Sequence, residues 1–117
     1  MDYIPYFSSH FKNNISGRYA GIRKFFENKV KIILKKPFSG EPLKHDLDGL
    51  RSERIKGNFI LIYSICKECR RKGNDQIFRC KICKETDNNS VVFICIGPHD
   101  DSYKIAKKLM KKGKIYS

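Results

Sequence analysis

The chain lacks any apolar run approaching the ~20 residues that cross a bilayer, and its start, MDYIPYFSSHF, has no basic stretch leading into an apolar one. A soluble cytoplasmic protein is therefore expected, with no membrane contact. There is no low-complexity tract, and no internal repeat beyond two CxxC pairs. At 117 residues the chain is too short for two independent cores, so a single domain over residues 1–117 is the economical reading. Acidic residues are scarce: 12 Asp+Glu stand against 25 Lys+Arg, a net charge of +13. That balance draws polyphosphates through counterion release and favours nucleic acid over a membrane surface or an acidic protein as partner.

Five cysteines are present, and four fall in Cys66-Lys67-Glu68-Cys69 and Cys80-Lys81-Ile82-Cys83. In a protein expected inside the cell, this pattern points to metal ligands more than to a disulfide framework. Each pair grips one edge of a tetrahedron of thiolates, which suits zinc, although iron fits the same cage. The ten-residue spacer is shorter than in a typical zinc ribbon, and no glycine follows either pair directly. Four thiolates leave no open coordination position, so the ion is expected to be structural and to staple an inserted hairpin tip over residues 66–89. Arg70, Arg71 and Lys72 beside the first pair are candidates for tracking an RNA backbone. Cys95 lies in an apolar run and reads as a small buried hydrophobe.

The order of elements is α+β. Asp2 to Phe7 reads as a strand, with Ser8 or Ser9 capping a short helix. From Arg18 to Lys36 the residues Tyr19, Ile22, Phe25, Phe26, Val30, Ile33 and Leu34 make one helical stripe, which Pro37 stops. Gly40 and Pro42 mark a loop. Leu50 to Lys56 and Phe59 to Ile65 form a hairpin about Gly57-Asn58. Ser90 to Gly97 reads as a buried strand, and Asp100 to Lys112 as an amphipathic helix ended by Gly113.

Cleaving RNA without a metal needs a base for the 2′-hydroxyl, cations for the phosphorane and an acid for the 5′-oxygen. Glu41, Lys44, His45, Arg51, Arg54 and His99 offer all three. Alternation sets Arg51 and Glu53 on one face of their strand and Ser52 and Arg54 on the other, so Arg51 and Arg54 should not enter one site together. Arg54 is the choice for the scissile phosphate; Lys44, His45, Arg51 and Lys56 are candidates for the flanking backbone. Each arginine alone also fits a solvated salt bridge to Asp46, Asp48 or Glu53. Tyr103 sits one turn into the last helix, able to stack on a base or to pack on the sheet.

EPLKHDLDGLRSERI, then a strand ending in LIYSI and a later one ending in GPHDDSY, resembles the RelE/ParE superfamily of toxin–antitoxin ribonucleases, chiefly its YoeB and YafQ branches. The resemblance covers Asp2 to Ile65 and Ser90 to about Lys108. Its implied fold is an N-terminal strand and two helices packed on a small antiparallel sheet, with a C-terminal helix, and here the cysteine insertion in the last hairpin. Its implied function is a ribosome-dependent mRNA endonuclease that leaves a 2′,3′-cyclic phosphate and a 5′-hydroxyl and is silenced by an acidic antitoxin. By position Glu41 resembles the general base, Arg54 the phosphate-contacting residue and His99 the general acid, while Tyr103 falls near an aromatic residue common at this end of such toxins. Ile60 departs from the family, many members having an arginine there, although YafQ-like members also carry an aliphatic residue. Asn58 aligns with an acidic catalytic residue of that branch, and an amide cannot exchange a proton usefully. A ParE-like gyrase inhibitor and a catalytically dead, zinc-stapled RNA- or ribosome-binding module are the rival expectations.

Overall fold

The computed structural model describes residues 2–17, 19–71 and 89–112. Lys72, Cys80, Cys83 and Gly113, and with them most of the expected insertion, lie outside these residues. Ile4–Phe7 forms β1, and helix α1 (Ser9–Ser16) follows at once. The Ser8 hydroxyl accepts from the Phe11 amide at 3.1 Å and donates to the Ile94 carbonyl at 2.6 Å. It therefore caps the helix, a contribution of about 1 kcal/mol, and ties it to the sheet.

The long helix expected from Arg18 begins later. α1 ends at Gly17, a 3₁₀ turn spans Ala20–Ile22, and α2 is Arg23–Lys35. Glycine costs a helix about 1 kcal/mol relative to alanine, and Gly17 and Gly21 both fall in this stretch. Tyr19 leaves the stripe, setting its ring edge-on to Phe59 at 5.4 Å and its hydroxyl beside Gly97. Phe25, expected in the core, is 42% exposed. Its ring lies under the Lys56 ammonium at 4.1 Å, a cation–π contact that gives this aromatic face a use at the surface. Phe26, Val30 and Ile33 carry the buried face of α2.

Pro37–Ser39 is a 3₁₀ turn, Glu41–Pro42 is β2 and His45–Leu47 a further 3₁₀ turn. β3 (Leu50–Lys56) and β4 (Phe59–Ile65) form the expected hairpin, with Gly57 at φ +57°. Helix α3 (Cys66–Arg71) follows β4 directly; β5 (Ser90–Pro98) and α4 (His99–Lys112) complete the described chain. The sheet runs β1-β5-β4-β3-β2. Its β2–β3, β3–β4 and β4–β5 pairs are antiparallel, but β1 joins β5 in parallel, Ile4 opposite Ser90. The sheet is thus mixed where only antiparallel pairing was expected, because this contact joins segments at opposite ends of the chain and leaves no local signature.

Helices cover both faces. Phe11, Phe26, Val30 and Ile33 pack on Leu61, Tyr63, Phe93 and Ile96; on the other side Ala106 lies over Ile60, Ile62, Val92 and Ile94, with Cys66 and Cys69 in the same cluster. A bulge shifts the register so that Ile62 opposes Cys95 and Tyr63 opposes Phe93. It turns both Ile94 and Cys95 toward α4. Cys95 is buried, as expected, and burial pushes its thiol up to about 12.

Candidate active site

The site is built where the loop after α2 meets the sheet edge. The buried Tyr63 hydroxyl donates to the Pro37 carbonyl at 2.6 Å, which pins the start of the loop. Burial drives this phenol well above its ordinary range, with Glu53 adding to the effect and Arg51 opposing it. A Cβ at Gly40 would collide with the same hydroxyl, so a side chain here would displace the loop. Glu41 comes next, exposed, paired across β2 with Ser52.

Arg54 reaches the site from β3, and His99 and Tyr103 from the first turns of α4. The His99 amide donates to the Asn58 carbonyl at 2.8 Å, joining the start of α4 to the β3–β4 turn. The His99 Nδ1 lies 3.2 Å from an Asp100 carboxylate oxygen, and the imidazole meets the Tyr103 ring edge-on at 4.7 Å. An Nδ1–H donated to Asp100 leaves Nε2 for a substrate. Glu41, Arg54, His99 and Tyr103 all line one cavity of about 350 Å³. Ser39, Ser52, Glu53 and Ile60 complete its wall. A carboxylate, a guanidinium and an imidazole around one hollow can take a proton, hold negative charge and return a proton.

Sequence reasoning missed Ser39, Ser52 and Glu53. Ser52 shares the alternation of Arg54 and was legible on that ground; Ser39 depends on the loop's path, and Glu53 was assigned to the opposite face. Ile60 is buried and supplies an apolar wall.

The other sequence-named residues lie elsewhere. Lys44 and His45 are exposed on the loop before β3, with His45 at φ +58°, and neither lines the cavity. Lys56 rests on Phe25, on the α2 side. Arg51, as alternation requires, stays out of the cavity: its guanidinium donates to Glu68 at 2.9 Å and to the carbonyls of Phe38 and Gly40 at 2.9 and 2.8 Å. Arg70 is half-buried on α3, and the exposed Arg71 approaches Glu68 at 3.7 Å.

Cys66 and Cys69, three apart on α3, are buried and not disulfide-bonded. Among the described residues no three His, Cys, Asp or Glu side chains are grouped to hold a metal. The other two thiols of the expected tetrahedron lie outside those residues. No described helix is long and apolar enough to cross a membrane.

A larger apolar groove of about 510 Å³ lies between α1 and α2. Its lining includes no histidine, and its one carboxylate, Glu27, is paired with Arg23 at 3.0 Å. It has no equivalent acid–base set.

No family model matches the sequence, and a search of curated proteins finds no match. Among solved structures, the toxin–antitoxin complex RelBE2 from Mycobacterium tuberculosis contains a chain similar to this one, with a TM-score of 0.58 at 18% identity over 84% of this chain and 92% of that one. A conserved hypothetical protein from Helicobacter pylori is similar over 84% of this chain and 96% of its own, at 15% identity and a TM-score of 0.45. The fold of the present chain is the α+β fold of RelE-like toxins.

Proposed function

We propose that the chain is the toxin of a toxin–antitoxin pair and cleaves mRNA on the ribosome. The observation that carries this reading is the meeting of Glu41, Arg54, His99 and Tyr103 in one cavity. Glu41 takes the proton of the 2′-hydroxyl, and the 2′-oxygen attacks phosphorus. Arg54 balances the charge of the phosphorane. Protonated His99 gives its proton to the departing 5′-oxygen, so the P–O5′ bond breaks and leaves a 2′,3′-cyclic phosphate and a 5′-hydroxyl. Tyr103 offers its ring to a neighbouring base, Lys44, Lys56, Arg70, Arg71 and Lys72 supply charge along the backbone, and His45 offers it a hydrogen bond. The net charge of +13 suits an acidic antitoxin as the neutralising partner. Under this reading Cys66 and Cys69, with Cys80 and Cys83, hold a structural zinc.

Mapping 5′-hydroxyl ends on ribosome-bound message tests the chemistry. Glu41→Gln and His99→Ala are each expected to lower cleavage by about 10²-fold or more, with thermal stability unchanged. Full cleavage by both variants would reject the assignment. Ile60 in the cavity wall favours a second reading, a non-cleaving binder of RNA or of gyrase. Growth arrest with intact message and damaged DNA would select the gyrase inhibitor; tight ribosome binding without arrest or cutting would select the RNA binder.

A further inference from the structure

β2 has only two residues, and Pro42 brings no N–H to its pairing with β3. Backbone pairing alone gives Glu41 a weak anchor. The side chain of Arg51 makes up the deficit from the face away from the cavity. Its Nη1 donates to the Phe38 carbonyl at 2.9 Å and to the Gly40 carbonyl, directly before Glu41, at 2.8 Å. Its Cζ lies 5.3 Å from the Phe38 ring centre. The other edge of the guanidinium meets Glu68, with Nε 3.2 Å from Oε1 and Nη2 2.9 Å from Oε2. The two side chains are 13% and 4% exposed. One guanidinium thus joins α3 to the loop that carries the carboxylate, in surroundings too dry for a solvent-screened surface pair.

We propose that Arg51, oriented by Glu68, is a positioning residue that sets Glu41 for proton abstraction. This rests on the reading of Glu41 as base. Arg51 acts through two main-chain carbonyls and meets no RNA, and Glu68 serves it from between Cys66 and Cys69 on α3. A flexible lysine at position 51 keeps the charge and loses the fork that spans carboxylate and carbonyls.

Arg51→Lys, Glu68→Gln and the double variant test the idea in the full-length protein, alongside Glu41→Gln. The expected result is a fall in kcat of about tenfold to 10²-fold for each clamp variant, with KM for ribosome-bound message unchanged and the double variant no worse than the poorer single. Hydrogen exchange at the Ser39, Gly40 and Leu43 amides should quicken in both single variants while the β4 and β5 amides keep their protection. Arg51 as a phosphate contact makes the opposite forecast: KM rises, the salt slope of binding falls by about one, and Glu68→Gln tightens RNA binding by releasing the arginine. That pattern, or unaltered loop exchange with an inactive Glu41→Gln, overturns the clamp alone. Undiminished cleavage by Glu41→Gln overturns the base assignment and the positioning role with it.

Discussion

Arg51 and Arg54 are three residues apart on one strand, yet the fold uses them in opposite ways. Arg54 is exposed and lines the cavity, its guanidinium available to whatever enters. Arg51 is largely buried and spends its donors on Glu68 and two carbonyls of its own chain. The difference comes from the neighbours each meets: a buried carboxylate must be paired and hydrogen-bonded, and Glu68 offers Arg51 that partner. A count of basic residues treats the two alike. Their environments separate a structural charge from one open to a ligand.

The largest test of this contrast is truncation. Arg51→Ala should cost about 3 kcal/mol of stability because it leaves the buried Glu68 only the longer contact to the exposed Arg71; Arg54→Ala, on an exposed side chain, should stay within about 0.5 kcal/mol. Cleavage should report the reverse for Arg54, falling by about 10²-fold or more in a protein that melts normally. Equal stability losses in denaturant titrations would erase the distinction.

The cysteines sharpen it next, since Glu68 sits within the first CxxC pair. Elemental analysis should find one zinc per chain, and Cys66→Ser with Cys69→Ser, or chelation, should lower the melting midpoint by about 5 °C or more. Absence of stoichiometric metal with an unchanged midpoint would remove the zinc reading.

A smaller effect is expected at the second anchor of the loop. Tyr63→Phe leaves the Pro37 carbonyl without its donor in a buried setting and should cost about 1–2 kcal/mol. Wild-type stability in that variant would assign the loop's anchoring to Arg51.

The last effect is silent at neutral pH and emerges only in alkali, at the buried core thiol. Cys95 is pushed up to about 12 by burial from an ordinary 9.0. Its folded-state value is raised, so its contribution to stability is fully present below pH 9 and is lost as pH rises from 9 toward 12. Melting midpoints should fall over that alkaline window, and fall less in Cys95→Ala. Alkylation of Cys95 at pH 8 should require unfolding.

Much of the fold was legible because its signals are local. Gly57 makes the β3–β4 turn, the apolar run from Ser90 demands burial on both faces, and Ser8 caps α1 through an amide three residues away. Errors arose where tertiary partners overrode pattern. Tyr19 and Phe25 both fit the apolar stripe, but Tyr19 packs outside α2 against Phe59 and Phe25 serves Lys56 at the surface. Of the candidate site, Glu41, Arg54, His99 and Tyr103 were named from the chemistry that RNA cleavage needs, the motif likeness then gave each its role, and alternation alone separated Arg54 from Arg51. Glu53 and Ser39 in the cavity wall, and the burial of Glu68, left no trace in the sequence.

The sequence by itself determined the positive charge, the hairpin, the apolar strands and which face of β3 each arginine takes, since composition, turn chemistry and a two-residue period act over short distances. Only the tertiary structure decided that β1 pairs with β5, that four polar residues from β2, β3 and α4 share one cavity, and that Arg51 closes on Glu68. Those outcomes depend on contacts between distant segments, whose preferences are expressed only once the layers have packed.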